Sequence, residues 1–561
     1  MKYLFFARHF TYLRNFESML CALAERGHEV HIAAERDEEY GGRDMIDRLA
    51  ARYPGLTAGQ APERTDGWYR LATKLRLTLD YLRYLEPAYA NTPRLRVRAE
   101  QRVPKLLLAV LRAPGFRGAA GRRRLTRLLL RWERAIPLDA GIVRYVQEAH
   151  PDAVLITPLV GVVASPQLDY LYSAQALRIP TALCVWSWDH LSSKALIRTV
   201  PDRVLVWNPT QRDEAIDLHG VPAERIVITG AQCFDQWFDR TPKRDRASFC
   251  RYVGLRDDRP FLLWVCSALF RSSPEEAPFV GQWIRALRQS GHGSLANANI
   301  LIRPHPSRMN EWEGIDVRQW DGVALWGGNP VDEQSRDDYF DSLFHSAAVV
   351  GLNTSAFIEA AIVGKPVYTV LLPEFRESQE GTIHFHYLLN VAGGLLNATR
   401  SLDAHASQLE EFLGGAAPAP VSGRRFVEAF VRPQGLSQSS TTLFVESVER
   451  LGRLPAAAAA TDRAGAAATA PLSLRFLAAF ERGAGHAVMR DAREEHEVVR
   501  SRTVAAQEAA DRRVRMAAKA DVRAAKARKV DDRRREREHL MDGRKRRRRR
   551  KALMSRLGLG S

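Results

Sequence analysis

Apolar runs of strand length alternate with segments of helical period along most of this chain. KYLFFA is a short apolar run, RHFTYLRNF reads as a polar loop, FESMLCALAERG carries apolar residues at helical spacing up to Gly27, and EVHIAAE is a second strand. A strand–helix–strand opening predicts a parallel sheet with helices on its faces. The rhythm breaks at residues 70–135, where TKLRLTLDYLRYLEPAY, RVPKLLLAVLRAPGF and GRRRLTRLLLRWERA mix leucine with arginine at helical spacing. It resumes at Pro151 with DAVLITPLVG, PTALCVWSWDH, DRVLVWN and RIVITGA, with helical segments such as QLDYLYSAQALR and TQRDEAIDLHG between some of them. A second unit of the same kind begins near Arg259. It runs through PFLLWVCSA, the helix PFVGQWIRALRQSG, NILIRPHP, GVALWG, the helix DDYFDSLFHSA, AVVGLN, the helix TSAFIEAAIVG and KPVYTVLL.

The predicted fold class is therefore α/β, with two Rossmann-like domains facing across a cleft. Residues 1–257 are expected to form the first domain, with a basic helical insertion at about 70–135, and residues 258–454 the second. Residues 455–472 read as an Ala/Pro linker and 473–561 as a charged helical or disordered tail.

Charge sharpens this division. The chain carries a formal +18, but residues 455–561 hold 28 Lys+Arg against 14 Asp+Glu, and residues 1–454 hold 55 against 51. The globular part is nearly neutral, and the basicity belongs to the tail. Its run RKRRRRRK suits anionic lipid or a phosphate backbone, or serves as a solvated end. Aromatic residues are absent from Glu481 onward, which makes nucleic acid the weaker expectation. The arginine–leucine helices of 70–135 are ordinary amphipathic helices or a face that rests on an anionic membrane. Five cysteines, Cys21, Cys184, Cys233, Cys250 and Cys266, form no CxxC pair. That argues against a disulfide framework and a zinc site, and for a reducing, cytoplasmic setting. The apolar run at the N-terminus is too short for a signal peptide, and no run approaches a membrane span. Any membrane contact is expected to be peripheral, at the inner face of the plasma membrane.

Ligands of open α/β sheets bind beyond the carboxyl ends of the strands. Arg303 and His305, in RPHP after NILI, stand at such an end. A guanidinium can clamp phosphate, and an imidazole can donate to an oxygen or take a proton. Pro304 and Pro306 stiffen the loop that presents them. The alternative is a rigid exit turn with a solvated arginine. In GLNTSAFIEAAIVGKP, Asn353, Thr354 and Ser355 lie where a strand passes into a helix, an arrangement that favours anions. Glu359, one turn later, is in reach of ribose hydroxyls, or simply complements the helix dipole.

Together these two segments resemble the nucleotide-binding half of GT-B-fold transferases. The nearest likeness is to the CDP-glycerol glycerophosphotransferase family and the related UDP-N-acetylglucosamine 2-epimerase fold. The likeness spans about residues 1–450, and its motifs lie in 297–370. It implies a nucleotide-diphosphate donor in the cleft, no other cofactor and no obligatory metal, with Arg303, His305, Ser355 and Glu359 in the matching positions. Leu352-Asn353-Thr354-Ser355 stands where the glycerophosphotransferases carry an acidic residue and paired serines, so a glycosyl group is an equal expectation to glycerol phosphate. Ser267, at the end of FLLWVCSA, and Arg271 lie where such enzymes place a loop beside the donor phosphates. QEGTIHFHYLL offers Gln379, Gly381, Thr382, His384 and His386, read as strand alternation rather than metal ligands. Asp189 and His190 in WSWDHLSSK, or Arg8 and His9 in RHF, are the candidates for the acceptor's base.

The expected function is transfer of a glycosyl or polyol-phosphate group from a CDP- or UDP-activated donor to a glycan or lipid-linked hydroxyl, in cell-surface polysaccharide synthesis. The alternatives are a UDP-sugar 2-epimerase and a non-enzymatic scaffold whose basic tail binds membrane or nucleic acid.

Overall fold

A computed structural model describes residues 1–455, apart from 37–40, 162–165, 271, 272, 292, 331 and 416–422, together with Pro471, Leu474, Arg475 and Ala478. Met1–Ala479 forms one compact unit; the second, Phe480–Ser561, is outside the described residues. So are Arg271 and nearly all of the expected linker and tail.

The first sheet has seven strands: β1 (Lys2–Ala7), β2 (Glu29–Ala34), β3 (Leu56–Gln60), β4 (Ala153–Thr157), β5 (Thr181–Cys184), β6 (Arg203–Val206) and β7 (Ile226–Ile228). They are all parallel and run in the order β3-β2-β1-β4-β5-β6-β7. The second sheet has six: β8 (Phe261–Val265), β9 (Asn299–Arg303), β10 (Val323–Leu325), β11 (Ala348–Gly351), β12 (Val367–Val370) and β13 (Leu396–Thr399). It too is parallel, ordered β10-β9-β8-β11-β12-β13. Each sheet thus has the doubly wound order, whose direction reverses beside its first strand, β1 or β8.

The central strands, β1, β4 and β5 in the first sheet and β8, β9, β11 and β12 in the second, are buried on both faces, which is why they read as continuous apolar runs. In β1, Tyr3 and Phe5 face the helix Glu17–Glu25, while Leu4 and Phe6 face the layer of Ile142, Val146 and Leu171. In β8, Phe261 and Leu263 alternate with Leu262 and Trp264, whose indole packs 4.7 Å from that of Trp283.

Between β3 and β4 lie the helices Trp68–Arg83, Pro93–Glu100, Lys105–Arg112, Pro114–Arg117 and Ala119–Arg134. Their core includes Leu75, Leu79, Leu125 and Leu129, together with Leu474 and Ala478 from beyond the linker. Buried charges tie this insertion to the first sheet's layer. Arg76 bridges Asp169 at 2.9 Å and Glu133 at 3.2 Å, and Arg64 meets Asp169 at 3.0 Å. Removing one partner of such a network leaves an uncompensated buried charge, a change that costs about 3–5 kcal/mol.

RHFTYLRNF is not a loop: Phe10–Phe16 is a 3₁₀ helix with Phe10, Leu13 and Phe16 buried. A three-residue apolar period is what a 3₁₀ turn aligns on one side. The helix Ser440–Gly452 returns to the first domain and packs Phe444, Val445, Val448 and Leu451 into its core. The chain thus crosses between the domains near Gly230 and again near Val431, and the crossings are joined by Ala231 N–H to the Val431 carbonyl at 2.8 Å. Arg432 meets Asp235 there at 2.7 Å. Gly230 has φ +82°, and a Cβ on it would lie 2.1 Å from Ser440 Oγ, so only glycine fits this junction.

Candidate active site

The carboxyl ends of both sheets meet at a cleft of about 430 Å³. The loops after β1, β5, β6 and β7 supply Arg14, the Trp186–Asp189 segment, Trp207 and Trp237. The loops after β8, β9 and β11 supply Ala268, His305 and Asn353–Ser355, with Glu359 one turn further on. A second cavity of about 200 Å³ adjoins this cleft and shares Asp189, Ala268, Asn353 and His384 with it. It reaches Leu95 and Arg98 of the insertion.

RPHP divides between two roles. His305 lines the cleft, and its Nδ1 accepts from Ser307 N–H at 3.2 Å and lies 2.8 Å from Ser307 Oγ. A ring nitrogen that accepts a backbone proton is unprotonated, so the hydrogen sits on Nε2. Burial, with Arg308 and Arg14 nearby, lowers the pKa and favours this neutral donor form. Arg303 is instead buried and does not line the cleft. Its Nη2 donates to the Gly328 carbonyl at 3.0 Å, and its guanidinium lies over the Trp326 and Tyr339 rings. Arg303 is the last residue of β9, and its side chain turns to Trp326 and Tyr339 instead of entering the cleft.

The cationic lining comes from residues that the sequence reading missed: Arg14, Arg240 and Arg336. Each is held by a polar partner. Arg14 Nη1 donates to Asn329 Oδ1 at 3.3 Å, Arg240 meets Glu333 at 2.6 Å, and Arg336 meets Glu17 at 2.9 Å. The period of Phe10, Leu13 and Phe16 was the available signal for Arg14, because burying those three turns Arg14 away. For Arg240 and Arg336 no local pattern distinguished them from solvated arginines.

The segment Asn353–Ser355 lines the cleft as expected. Thr354 Oγ1 accepts from Ala356 N–H at 3.4 Å, whereas Ser355 makes no side-chain cap. Ser267 lies beneath this turn: its Oγ accepts from Asn353 N–H at 3.1 Å, and it is fully buried. Glu359 accepts the Tyr339 hydroxyl proton, and burial raises its pKa. Gln379 is a buried clamp that donates to the Leu352 and Val370 carbonyls, both at 3.1 Å.

The candidate bases separate clearly. His190 is fully buried, and its Nε2 lies 2.9 Å from the Pro158 carbonyl. Burial lowers its pKa to about 4, and it lines neither cavity. His9 stacks edge-on against Tyr12 at 4.6 Å and is likewise outside the cleft lining. Asp189 does line it. Burial would raise its pKa, but Lys194, His384 and the Ser187 hydroxyl outweigh that and hold it well below the carboxylate range. Lys194 Nζ is 2.7 Å away.

The segment read as strand alternation is a helix, Phe385–Asn390. His386 is on its outside, 2.8 Å from the Glu380 carbonyl, while His384 points into both cavities. Its ring meets Trp188 edge-on at 4.8 Å, and its buried Nδ1 has no hydrogen-bond partner. Burial lowers its pKa to about 4, with Asp189 opposing the shift. A neutral imidazole beside a fixed carboxylate can take a proton, and the carboxylate then stabilises the resulting cation. Among the described residues, no group of three His, Cys, Asp or Glu could hold a metal ion, and no helix is long and apolar enough to cross a membrane.

A scan against protein-family models finds no match, and a search of curated proteins finds none. Solved structures with a similar arrangement include a glycosyltransferase from Rickettsia africae, at 11% identity and TM-score 0.45, covering 81% of this chain and 97% of that one. A UDP-GlcNAc 2-epimerase from Neisseria meningitidis bound to UDP-GlcNAc gives 12% and 0.44, covering 80% and 100%. MurG from Acinetobacter baumannii gives 11% and 0.39, with the same coverage.

Proposed function

We propose that this chain is a GT-B-type transferase that moves a glycosyl or polyol-phosphate group from a nucleotide-diphosphate donor to a hydroxyl. The observation that carries the reading is one cleft between two doubly wound sheets, gathering Arg14, Arg240, Arg336 and His305 with Asp189 and His384. The arginines offset the charge that builds on the departing nucleotide's phosphate, and the His305 Nε2–H donates to one of its oxygens. This clamp supplies the positive charge without requiring a divalent ion. Glu359, with Tyr339 on one oxygen, offers the other to ribose hydroxyls. His384 removes the acceptor's proton as its oxygen bonds to the transferred group, and Asp189 steadies the imidazolium. For a glycosyl group its bond to the diphosphate breaks and the electron pair leaves on the nucleoside diphosphate; for a polyol phosphate the bond between the two phosphates breaks and the pair leaves on the nucleoside monophosphate.

An epimerase would rest on paired carboxylates. Among the described residues, the two carboxylates lining this cleft, Asp189 and Glu359, are each engaged by a separate partner, Lys194 and Tyr339. That favours the transferase. A CDP or UDP donor, a glycan or lipid-linked acceptor, and a place in cell-surface polysaccharide synthesis at the cytoplasmic side of a membrane complete the reading.

The test is a thermal-shift screen of the full chain against CDP, UDP, GDP and their activated sugars. One nucleoside diphosphate should raise the unfolding temperature, and R240A/R336A should abolish that rise. No shift with any nucleotide would overturn the reading. Conversion of a UDP-sugar to its 2-epimer without acceptor would replace it with the epimerase.

A further inference from the structure

The insertion between β3 and β4 has two very different sides. Inward, Leu111, Leu125 and Leu129 join its core, and Glu133 is buried against Arg76 and the Tyr172 hydroxyl. Outward, the helix Ala119–Arg134 exposes Arg124, Arg127, Leu128 and Arg131, at the spacing of one helical face. The helix Lys105–Arg112 exposes Lys105 beside Leu106, which is 78% accessible; Leu128 is 42% accessible. From Gln101 to Trp132 there are nine Lys or Arg and no Asp or Glu. A solvated helix face ordinarily mixes both signs of charge. Here one sign stands alone, and large aliphatic side chains project among the cations.

We propose that this outer face docks on an anionic lipid surface, with Lys105, Arg123, Arg124 and Arg127 against the headgroups and Leu106 and Leu128 entering the acyl boundary. Charge complementarity selects the partner's sign, and the exposed leucines select lipid over nucleic acid. A phosphate backbone offers aliphatic side chains nothing to bury in, and stacking on single-stranded bases would need exposed aromatic rings. The buried chain of charges Glu133–Arg76–Asp169 holds the face on the first domain, so docking needs no refolding. The same insertion supplies Leu95 and Arg98 to the side cavity, so a lipid-borne acceptor would meet this element first. The docking itself does not depend on the proposed transfer reaction.

The basic tail would also draw the full chain to such a surface, so the readout must be local. In the full chain, L106C is labelled with an environment-sensitive fluorophore, with the unsubstituted chain labelled in parallel to subtract the five native thiols. Vesicles of phosphatidylglycerol and phosphatidylcholine should blue-shift the emission, and phosphatidylcholine alone should not. Adding R123E/R124E/R127E, all exposed positions, should raise the lipid concentration for half-maximal shift by about a hundredfold or more. An unchanged thermal transition would confirm that the variant is folded. No shift with anionic vesicles would overturn the proposal, as would an equal shift with neutral ones. A shift produced by RNA without lipid would assign the face to nucleic acid instead.

Discussion

The guanidinium of Arg303 lies 4.4 Å above the ring of Tyr339, whose hydroxyl in turn donates to Glu359. An arginine that stood out in the sequence as a phosphate clamp thus acts one layer back, as a platform for a residue of the cleft. Arg303→Ala removes a desolvated cation–π contact and the bond to Gly328, and should destabilise the protein by about 2 kcal/mol. Urea unfolding measures this. Nucleotide affinity should fall less than in the His305 variant, since Arg303 does not touch the cleft.

His305→Ala removes the Nε2–H donor and should weaken binding of the nucleoside diphosphate found in the screen by about tenfold, with unfolding in urea unchanged. Ser307→Ala removes the hydroxyl that helps orient the ring but keeps the backbone N–H that also does, so a smaller loss of the same kind is expected. Calorimetric titration distinguishes the two.

His384→Ala should lower kcat by at least about a hundredfold with little change in donor affinity. Because burial holds this imidazole near a pKa of about 4, it is already the unprotonated acceptor at neutral pH. Activity should stay level from neutrality down to about pH 5 and fall as pH drops through about 4. Asp189→Asn removes the fixed negative neighbour, which favours the imidazolium, so the acid limb of kcat/KM should move to lower pH while kcat falls. A pH–rate profile of the wild type and both variants checks this.

Across the domain boundary, Tyr387 donates to Glu214, whose pKa burial raises to about 7. A carboxyl that binds its proton more tightly folded than unfolded stabilises the fold at low pH. That contribution is fully present below about pH 4.5 and is lost as pH rises through about 7. Glu214→Gln keeps a neutral side chain at every pH. The wild type should therefore lose about 3 kcal/mol more than the variant between pH 5 and pH 9, read from paired urea unfolding curves.

The sheets were legible because their central strands are buried on both faces, so runs such as KYLFFA and FLLWV stand out without any alternation. Short strands with polar members, such as Leu56–Gln60 and Leu396–Thr399, do not, and neither was expected. Within the site, sequence position identified loops well and side-chain direction poorly. His305 and Asn353–Ser355 line the cleft, while His190, adjacent to Asp189, points the other way into the fold. Neighbours in a tight turn diverge, and nothing local reveals which one faces a cavity. His384 was passed over because its alternation with His386 mimics a strand; the helix that follows instead turns the second ring to the outside. The segment WSW could have been read differently: two indoles at a strand exit are more than a core requires, and both line the cleft.

The helix Ser440–Gly452, which crosses back to cover Leu20 and Leu23, also sets an order of assembly. A ribosome makes the first sheet long before the segment that seals it. Throughout synthesis of the second sheet, the nascent chain carries an uncovered greasy groove beside its own amino terminus. Maturation of the earliest-made half therefore waits for nearly the last of the globular residues, and truncation anywhere upstream of 440 strands it unfinished.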